Sequence, residues 1–443
     1  MTQLPADFTA QTRQLMGDER FKRYLTSFEE DPPVSIRLNP RKQLTVKDGE
    51  PVPWCRNGYY LKQRPNFTFD PLFHAGCYYV QEAASMFLDE VLRQMHNAYV
   101  SHQPSAIRPL TALDLCAAPG GKSTLLRSAL PSDCILYSNE PIRNRANILL
   151  ENVTKWGYAN HYVTNAYPRD YRASKFHFDL ILCDVPCSGE GMFRKDEATI
   201  REWSPRQVEK CWQLQRDIVS DAWACLNEGG LLVYSTCTFN TKENEENIRW
   251  ILDTFDDARV IPIETRPEWN ITGSLLNGFD HPVYRFIPGI SRGEGLFVCV
   301  LRKQVRNAAA RPSAKNLSSL NHLLSPFLLH QPSAISHLPS AISHQPSAIS
   351  HQPSAISHHP SVISHQPSAV SHLSYPEAMK FLRGESLTLP PDTPRGIVEV
   401  CFDGHPLGTM KNIGTRANNL YPKEWRIKTT HIPNEYEPIL QQI

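Results

Sequence analysis

Two short stretches place cysteine where sulfur chemistry is possible. Asp184-Val185-Pro186-Cys187-Ser188-Gly189 follows the apolar run Leu180–Cys183, and Tyr234-Ser235-Thr236-Cys237-Thr238 closes a second apolar run that begins after Gly229-Gly230. In an open α/β sheet, ligands gather at the carboxyl ends of parallel strands, so both segments would present their thiols to one pocket. A cysteine in such a place serves as a nucleophile once it is deprotonated, and inert burial is the competing reading. Zinc needs four ligands, and Cys183-x-x-x-Cys187 offers no matching second pair, so no metal is expected. Cys183, mid-strand between apolar neighbours, reads as buried.

A third stretch supplies the other side of the pocket. Leu113-Asp114-Leu115 ends in Cys116-Ala117-Ala118-Pro119-Gly120-Gly121-Lys122, and a helix-like run from Ser123 follows. Gly120 and Gly121 allow close approach of a ligand, and the N–H groups opening the next helix can hydrogen-bond it, which points to a nucleoside cofactor. A phosphate-binding P-loop would need glycine where Cys116 stands, and the dinucleotide pattern G-x-G-x-x-G is absent. Glu140, at the tip of the next strand-like run, can accept hydrogen bonds from both ribose hydroxyls of such a cofactor. The competing reading of Glu140 is a solvated loop carboxylate.

These segments need a doubly wound α/β domain to bring them together. Strands are expected at Ala112–Leu115, Cys134–Ser138, His161–Thr164, Leu180–Cys183, Leu231–Ser235 and Leu296–Leu301. Helices are expected at Arg143–Trp156 and Ser204–Leu226, the second with an apolar face through Val208, Cys211, Trp212, Leu214, Gln215 and Ile218. Ahead of this core, Thr9–Phe28 reads as one helix stopped by Pro32-Pro33, Val34–Asn39 as a strand with Arg37 facing out, and Tyr78–Met86 as a lead into a helix ending near His96.

The chain has 443 residues, 41% hydrophobic and 21% charged, with a formal net charge of +1, so any basic surface must be local. Eleven irregularly spaced cysteines and a start without a basic-then-apolar leader point to reduced thiols in the cytoplasm, and no apolar run reaches membrane-spanning length. Residues 1–100 form an extension, 101–305 the core, 306–374 a linker and 375–443 a compact tail. The linker holds six tandem seven-residue units from Gln331 to His372, each with a proline that forbids a continuous helix. A fragment of the same unit, Ser101–Ile107, reads as an exposed loop insertion. In the tail, Val398–Phe402 with Asp403-Gly404 reads as strand and turn, and Gly408 and Gly414 as further turns. Lys411, Arg416, Lys423, Arg426 and Lys428, interleaved with Tyr421 and Trp425, suit single-stranded RNA, against the alternative of a solvated basic edge with a core tryptophan.

Taken together and in this order, Cys116–Lys122, Asp184–Gly189 and Ser235–Thr238 resemble the three signature motifs of the Nol/Nop/Sun-type RNA cytosine-5 methyltransferases. With Arg37-Leu38-Asn39, Tyr79–Met86 and the basic tail, the chain is most similar to the bacterial RsmF group that methylates ribosomal RNA. The resemblance implies a Rossmann-like S-adenosylmethionine-dependent methyltransferase core, an N-terminal α+β extension contacting RNA and a small C-terminal PUA-like β domain. It further implies a cytoplasmic monomer whose partner is ribosomal RNA or a ribosomal subunit. The family assigns attack on cytosine C6 to Cys237, removal of the C5 proton to Cys187, and pairing with the cytosine N3/N4 edge to Asp184, beside the methyl sulfonium. The backbone of Cys116–Lys122 would hold the cofactor and Glu140 its ribose. Where the family carries an adenine-contacting aspartate, Tyr167 stands here, which leaves Asn165 or a ring stack to replace it. Transfer RNA methylation, DNA cytosine methylation and a non-catalytic assembly role are the alternatives. A DNA-type enzyme would leave Cys237 spare, and a pure binding factor needs neither thiol.

Overall fold

The structure, a computed structural model, describes residues 4–100, 110–305, 324, 327–330, 369–429, 431–433 and 435–443. The Ser101–Ile107 insertion and the repeats up to position 368 lie outside the described residues. Those described fall into two compact units. The larger holds the N-terminal extension up to Phe67, the chain from Gly76 through the core, and Glu437–Ile443; the smaller holds Thr68–Ala75 and the C-terminal module up to Tyr436.

The core sheet is built from β1 (Thr111–Asp114), β2 (Ile135–Asn139), β3 (His161–Thr164), β4 (Phe178–Asp184), β5 (Leu226–Thr236), β6 (Ala258–Val260), β7 (Tyr284–Phe286), β8 (Leu296–Lys303) and β9 (Leu328–His330). Their order is β6-β8-β5-β4-β1-β2-β3-β9, with β7 also pairing β8. β1 to β5 run parallel, and β8 enters antiparallel to β5. The strands are near-continuous apolar runs because both faces are covered. Leu113, Ile181, Cys183, Leu232 and Tyr234 pack in one core cluster, while Ala112, Leu180, Leu182, Leu231 and Val233 pack in another. The chain winds outward from β1 to β3 and then returns to β4 and β5, so the strand order reverses between β1 and β4. That reversal opens a crevice at the carboxyl ends, where the three motif loops emerge.

The expected helix Thr9–Phe28 is instead two helices, Ala6–Met16 and Asp18–Thr26, because Gly17 takes φ +75° and breaks the run. Phe8, Phe21 and Tyr24 from these helices share a core cluster with Phe193, Trp203 and Phe239, so the extension is built into the core domain. Its four-stranded antiparallel sheet centres on Val34–Leu38, flanked by Gly58–Leu61 and Tyr78–Val80.

Arg37 does not face out. It is 2% exposed, its Nε donates to Gln81 Oε1 at 2.7 Å, its Nη2 donates to Thr124 Oγ1 at 2.6 Å and to the Gly121 carbonyl at 3.2 Å, and its guanidinium lies over the Trp156 ring. Strand alternation suggests a solvated face, but here that face is covered by the cofactor-loop helix Gly121–Ala129 and the helix Arg143–Trp156. Arg37→Ala would leave the buried Gln81 Oε1 without its donor and empty the space over Trp156, and a loss of about 2–4 kcal/mol of stability is expected, read as a lowered Tm.

The C-terminal sheet joins Ala369–His372, Gly396–Phe402, His405–Asn412 and Ala417–Asn419. It therefore begins inside the last repeat unit, ahead of Tyr375. Gly408 is not a turn: it lies mid-strand at φ +154°, where a Cβ would come within 3.0 Å of the Phe381 ring. Tyr421 is buried against Phe381, so its ring belongs to the module's core; Lys411, Arg416, Lys423 and Lys428 are exposed, as a local basic edge requires.

Candidate active site

Strand register sets the site. Ser235 on β5 pairs with Asp184 on β4, and Asp114 on β1 pairs with Leu182, so the loops after all three strands leave the sheet at one edge. Cys187 lies three residues beyond β4 and Cys237 one beyond β5, and their sulfurs meet 3.2 Å apart. The Cys237 backbone N–H also points at the Cys187 sulfur, at 3.4 Å. Both residues are half-buried, whereas Cys183 is fully buried. Cys116, Cys183, Cys187 and Cys237 are free thiols.

The Cys187 thiol is tied electrostatically to its neighbour. The hydrogen bond to Cys237, then burial, then the charge on Cys237 hold the Cys187 thiol well above its ordinary pKa. A proton on Cys187 can thus be donated toward Cys237, which is the arrangement a Cys237 thiolate needs.

Asp184 stands beside the pair. Its Oδ1 accepts from Ser235 Oγ at 2.7 Å and its Oδ2 from Lys122 Nζ at 2.8 Å. Burial works against the Lys122 charge, yet Asp184 outweighs it and raises the ammonium above its ordinary range. Lys122, read from the sequence only as part of the cofactor loop, is therefore also the counter-charge of Asp184.

The cofactor loop is held from outside. Ala117 N–H donates to the Asn139 carbonyl at 2.8 Å, the Ala118 carbonyl accepts from Arg145, and the Pro119 carbonyl accepts from Asn152 at 2.8 Å. Gly120 takes φ +116° to start the helix. The space its missing Cβ leaves faces Leu149, and that of Gly121 faces Tyr79 and Gln81. Close packing of the loop against the protein requires small residues at both positions, beside the ligand approach expected from the sequence. Cys116 is half-buried, and burial pushes its thiol well up, so it offers no thiolate. Beneath the loop, Asp114 is fully buried and accepts from Ser123 Oγ at 2.5 Å; burial raises it to about 7. Glu140 ends β2 with Oε1 accepting from Ile142 N–H at 3.0 Å and Oε2 at 3.4 Å from Arg145 Nη1. Asn165 donates to the carbonyls of Glu140 and Pro141, and the Tyr167 ring is 53% exposed with Arg169 over it.

Sequence reasoning missed the polar residues that fasten the two thiol loops. Ser188 and Thr238 hydroxyls meet at 2.8 Å, and Glu243 accepts from Ser188 N–H at 3.0 Å, Gln215 Nε2 at 2.7 Å and Asn240 Nδ2 at 2.8 Å. Burial raises the Glu243 carboxyl to about 7. The available signal was acids and amides within six residues of each motif cysteine, in segments whose apolar content is too low for a strand. Among the described residues no cluster of three metal-ligating side chains occurs, and no helix is long and apolar enough to cross a membrane.

Residues 108–302 match the family model described as 16S rRNA methyltransferase RsmB/F, residues 4–83 that of the N-terminal domain of 16S rRNA methyltransferase RsmF, and residues 368–427 that of the methyltransferase RsmF PUA domain. The ribosomal RNA small subunit methyltransferase F of Pectobacterium atrosepticum is 32% identical over 323 residues, and that of Escherichia coli 34% over 318 residues. In both comparisons 68% of this chain is matched, and the chain spans 63% of the length of these relatives. A methyltransferase homologue of solved structure from Pyrococcus horikoshii superposes with a TM-score of 0.52 at 26% identity, over 68% of this chain and 100% of that one.

Proposed function

The chain belongs to the RsmB/F methyltransferase family, and we propose that it methylates C5 of a cytosine in small-subunit ribosomal RNA through a covalent bond from Cys237. The observation that carries this reading is the pair of thiols 3.2 Å apart beside the Asp184–Lys122 pair. Neither a binding factor nor a DNA-type enzyme needs both sulfurs at one point.

Cytosine C5 is a poor nucleophile. Attack of the Cys237 thiolate on C6 forms an S–C6 bond and moves the C5=C6 electron pair to C5, which becomes enamine-like. Asp184 pairs with the N3/N4 edge as the acceptor for the cytosine amino group, and the Lys122 ion pair holds it in place. S-adenosylmethionine supplies, when bound, an electrophilic methyl group for C5. The carboxylates Glu140 and Asp184, at the ends of the two strands flanking β1, suit such a cationic, ribose-bearing cofactor, with the Cys116–Lys122 backbone as its cradle and Glu140 toward its ribose. The half-exposed Tyr167 ring, already under Arg169, stands at the position of the family's adenine contact and supports a ring stack there.

Cys187 completes the cycle. While Cys237 is a thiolate, the hydrogen bond and the charge keep the proton on Cys187. Once the Cys237 sulfur is bonded to C6, both influences are gone, and Cys187 can lose that proton to solvent. The resulting thiolate takes the C5 proton, the C5–H electrons restore the C5=C6 bond, and Cys237 leaves. The net yield is 5-methylcytosine, the cofactor's demethylated thioether S-adenosylhomocysteine, and one released proton.

The test is incubation with labelled S-adenosylmethionine and either free ribosomal RNA, small subunits or transfer RNA from methylation-deficient cells, followed by nucleoside analysis. Label in 5-methylcytosine of small-subunit RNA is expected. Label confined to transfer RNA would move the substrate, and no label in any RNA would favour an assembly role.

A further inference from the structure

The loops bearing Cys187 and Cys237 converge on one buried carboxylate. Glu190, three residues after Cys187, is 2% exposed. Its Oε2 accepts from the backbone N–H groups of Phe239 at 2.7 Å and Asn240 at 2.9 Å, the second and third residues after Cys237. Its Oε1 accepts from Trp203 Nε1 at 3.1 Å and Asn240 Nδ2 at 3.0 Å. Beside it, Gly191 N–H donates to the Cys237 carbonyl at 2.8 Å. A Cβ at position 191 would stand 2.6 Å from that same carbonyl oxygen, so the approach requires glycine.

Four donors on one carboxylate are more than packing needs, and half of them come from the backbone of the nucleophile's own loop. Such a clamp fixes one loop against the other rather than either alone. The two chemical steps depend on that register unequally. Attack on C6 involves only the Cys237 sulfur, whereas release requires both sulfurs on one ring at once, Cys237 on C6 and Cys187 at the proton of the neighbouring C5. A displacement of about 1 Å costs on the order of a hundredfold where two groups must be aligned together.

We propose that Glu190 is a positioning residue that sets the register between the two thiol loops and thereby the rate at which the covalent RNA adduct is released. The proposal rests on the methyltransferase reading above. It assigns Glu190 no contact with RNA or cofactor.

The experiment uses the full chain, substrate RNA identified with the wild type, and Glu190→Gln and Trp203→Phe variants. Gln at 190 replaces an acceptor with a donor facing Trp203 or the Asn240 loop, and Phe at 203 deletes a single donor to Oε1. For each protein, turnover, KM for the methyl donor, Tm and the fraction of RNA in a denaturation-resistant adduct are measured. For Glu190→Gln, turnover is expected to fall about tenfold or more, with KM for the methyl donor within about twofold and with adduct accumulating above the wild-type level. Trp203→Phe should shift both readouts in the same direction by less. If Glu190→Gln fails to fold, the Trp203→Phe adduct decides alone. Adduct no higher than wild type in the folded variants, whether turnover is retained or falls together with Tm, overturns the proposal and leaves Glu190 a packing residue. A wild type that makes no 5-methylcytosine removes the methyltransferase reading, and the proposal with it; a wild type that does, beside variants without excess adduct, removes the proposal alone.

Discussion

Replacing Cys237 with alanine is expected to lower methyl transfer by on the order of a thousandfold or more while the protein stays folded. Without the sulfur there is no S–C6 bond, so C5 never becomes enamine-like, and no neighbouring group can substitute. Cys187 is the only other sulfur in contact with Cys237 among the described residues; Cys237→Ala removes the hydrogen bond and charge that hold its proton, but burial still raises it and its sulfur lies 3.2 Å from the position of the attacking one. Cys116 is pushed up by burial, and Cys183 is fully buried mid-strand. The substitution removes one half-buried sulfur and breaks no buried charge pair, so Tm should move little. Single-turnover transfer to RNA, with Tm measured alongside, is the check. Activity within about tenfold of wild type would put the attacking group elsewhere.

Asp184→Ala is expected to lower turnover by about a hundredfold to a thousandfold and to weaken RNA binding. In the proposed mechanism the carboxylate pairs with the cytosine edge, so its loss removes a contact that orients the reacting ring. It also strands Lys122, whose side chain is 17% exposed and whose charge is opposed by burial. Tm should therefore fall as well. Pairing the change with Lys122→Met separates the two effects: stability should recover and turnover should not. Recovery of turnover in the double variant would mean that Asp184 serves only to neutralise Lys122.

The motif loops were legible because small residues, proline and cysteine at fixed spacing leave few conformations and few chemistries. The strand His161–Thr164 and the helix Arg143–Trp156 end where the sequence places them, since apolar runs and Gly157 punctuate them clearly. Longer strands were underestimated: β5 begins at Leu226, and Gly229-Gly230, read as a break, sits inside it. Arg37 was misplaced because alternation reports one covered face and cannot report that a helix from a different part of the chain covers the other. The same limit hid Glu190, Asn240 and Glu243. Their sequence neighbours look like ordinary polar loops, and only the close approach of two loops some fifty residues apart makes them a buried network. The Tyr421 ring, expected among RNA-facing aromatics, packs on Phe381 in the module's core, a long-range contact that the local basic and aromatic pattern does not report.

The central claim is that the two thiols divide attack and release between them. It is tested most directly with Cys187→Ala, incubated with S-adenosylmethionine and labelled small-subunit RNA, denatured, resolved by electrophoresis and mapped by mass spectrometry of the RNA-linked peptide. A stable protein–RNA adduct carried by Cys237, absent when Cys237 is also replaced, is the predicted result. An adduct that instead appears in Cys237→Ala and maps to Cys187 would reverse the roles and contradict the account.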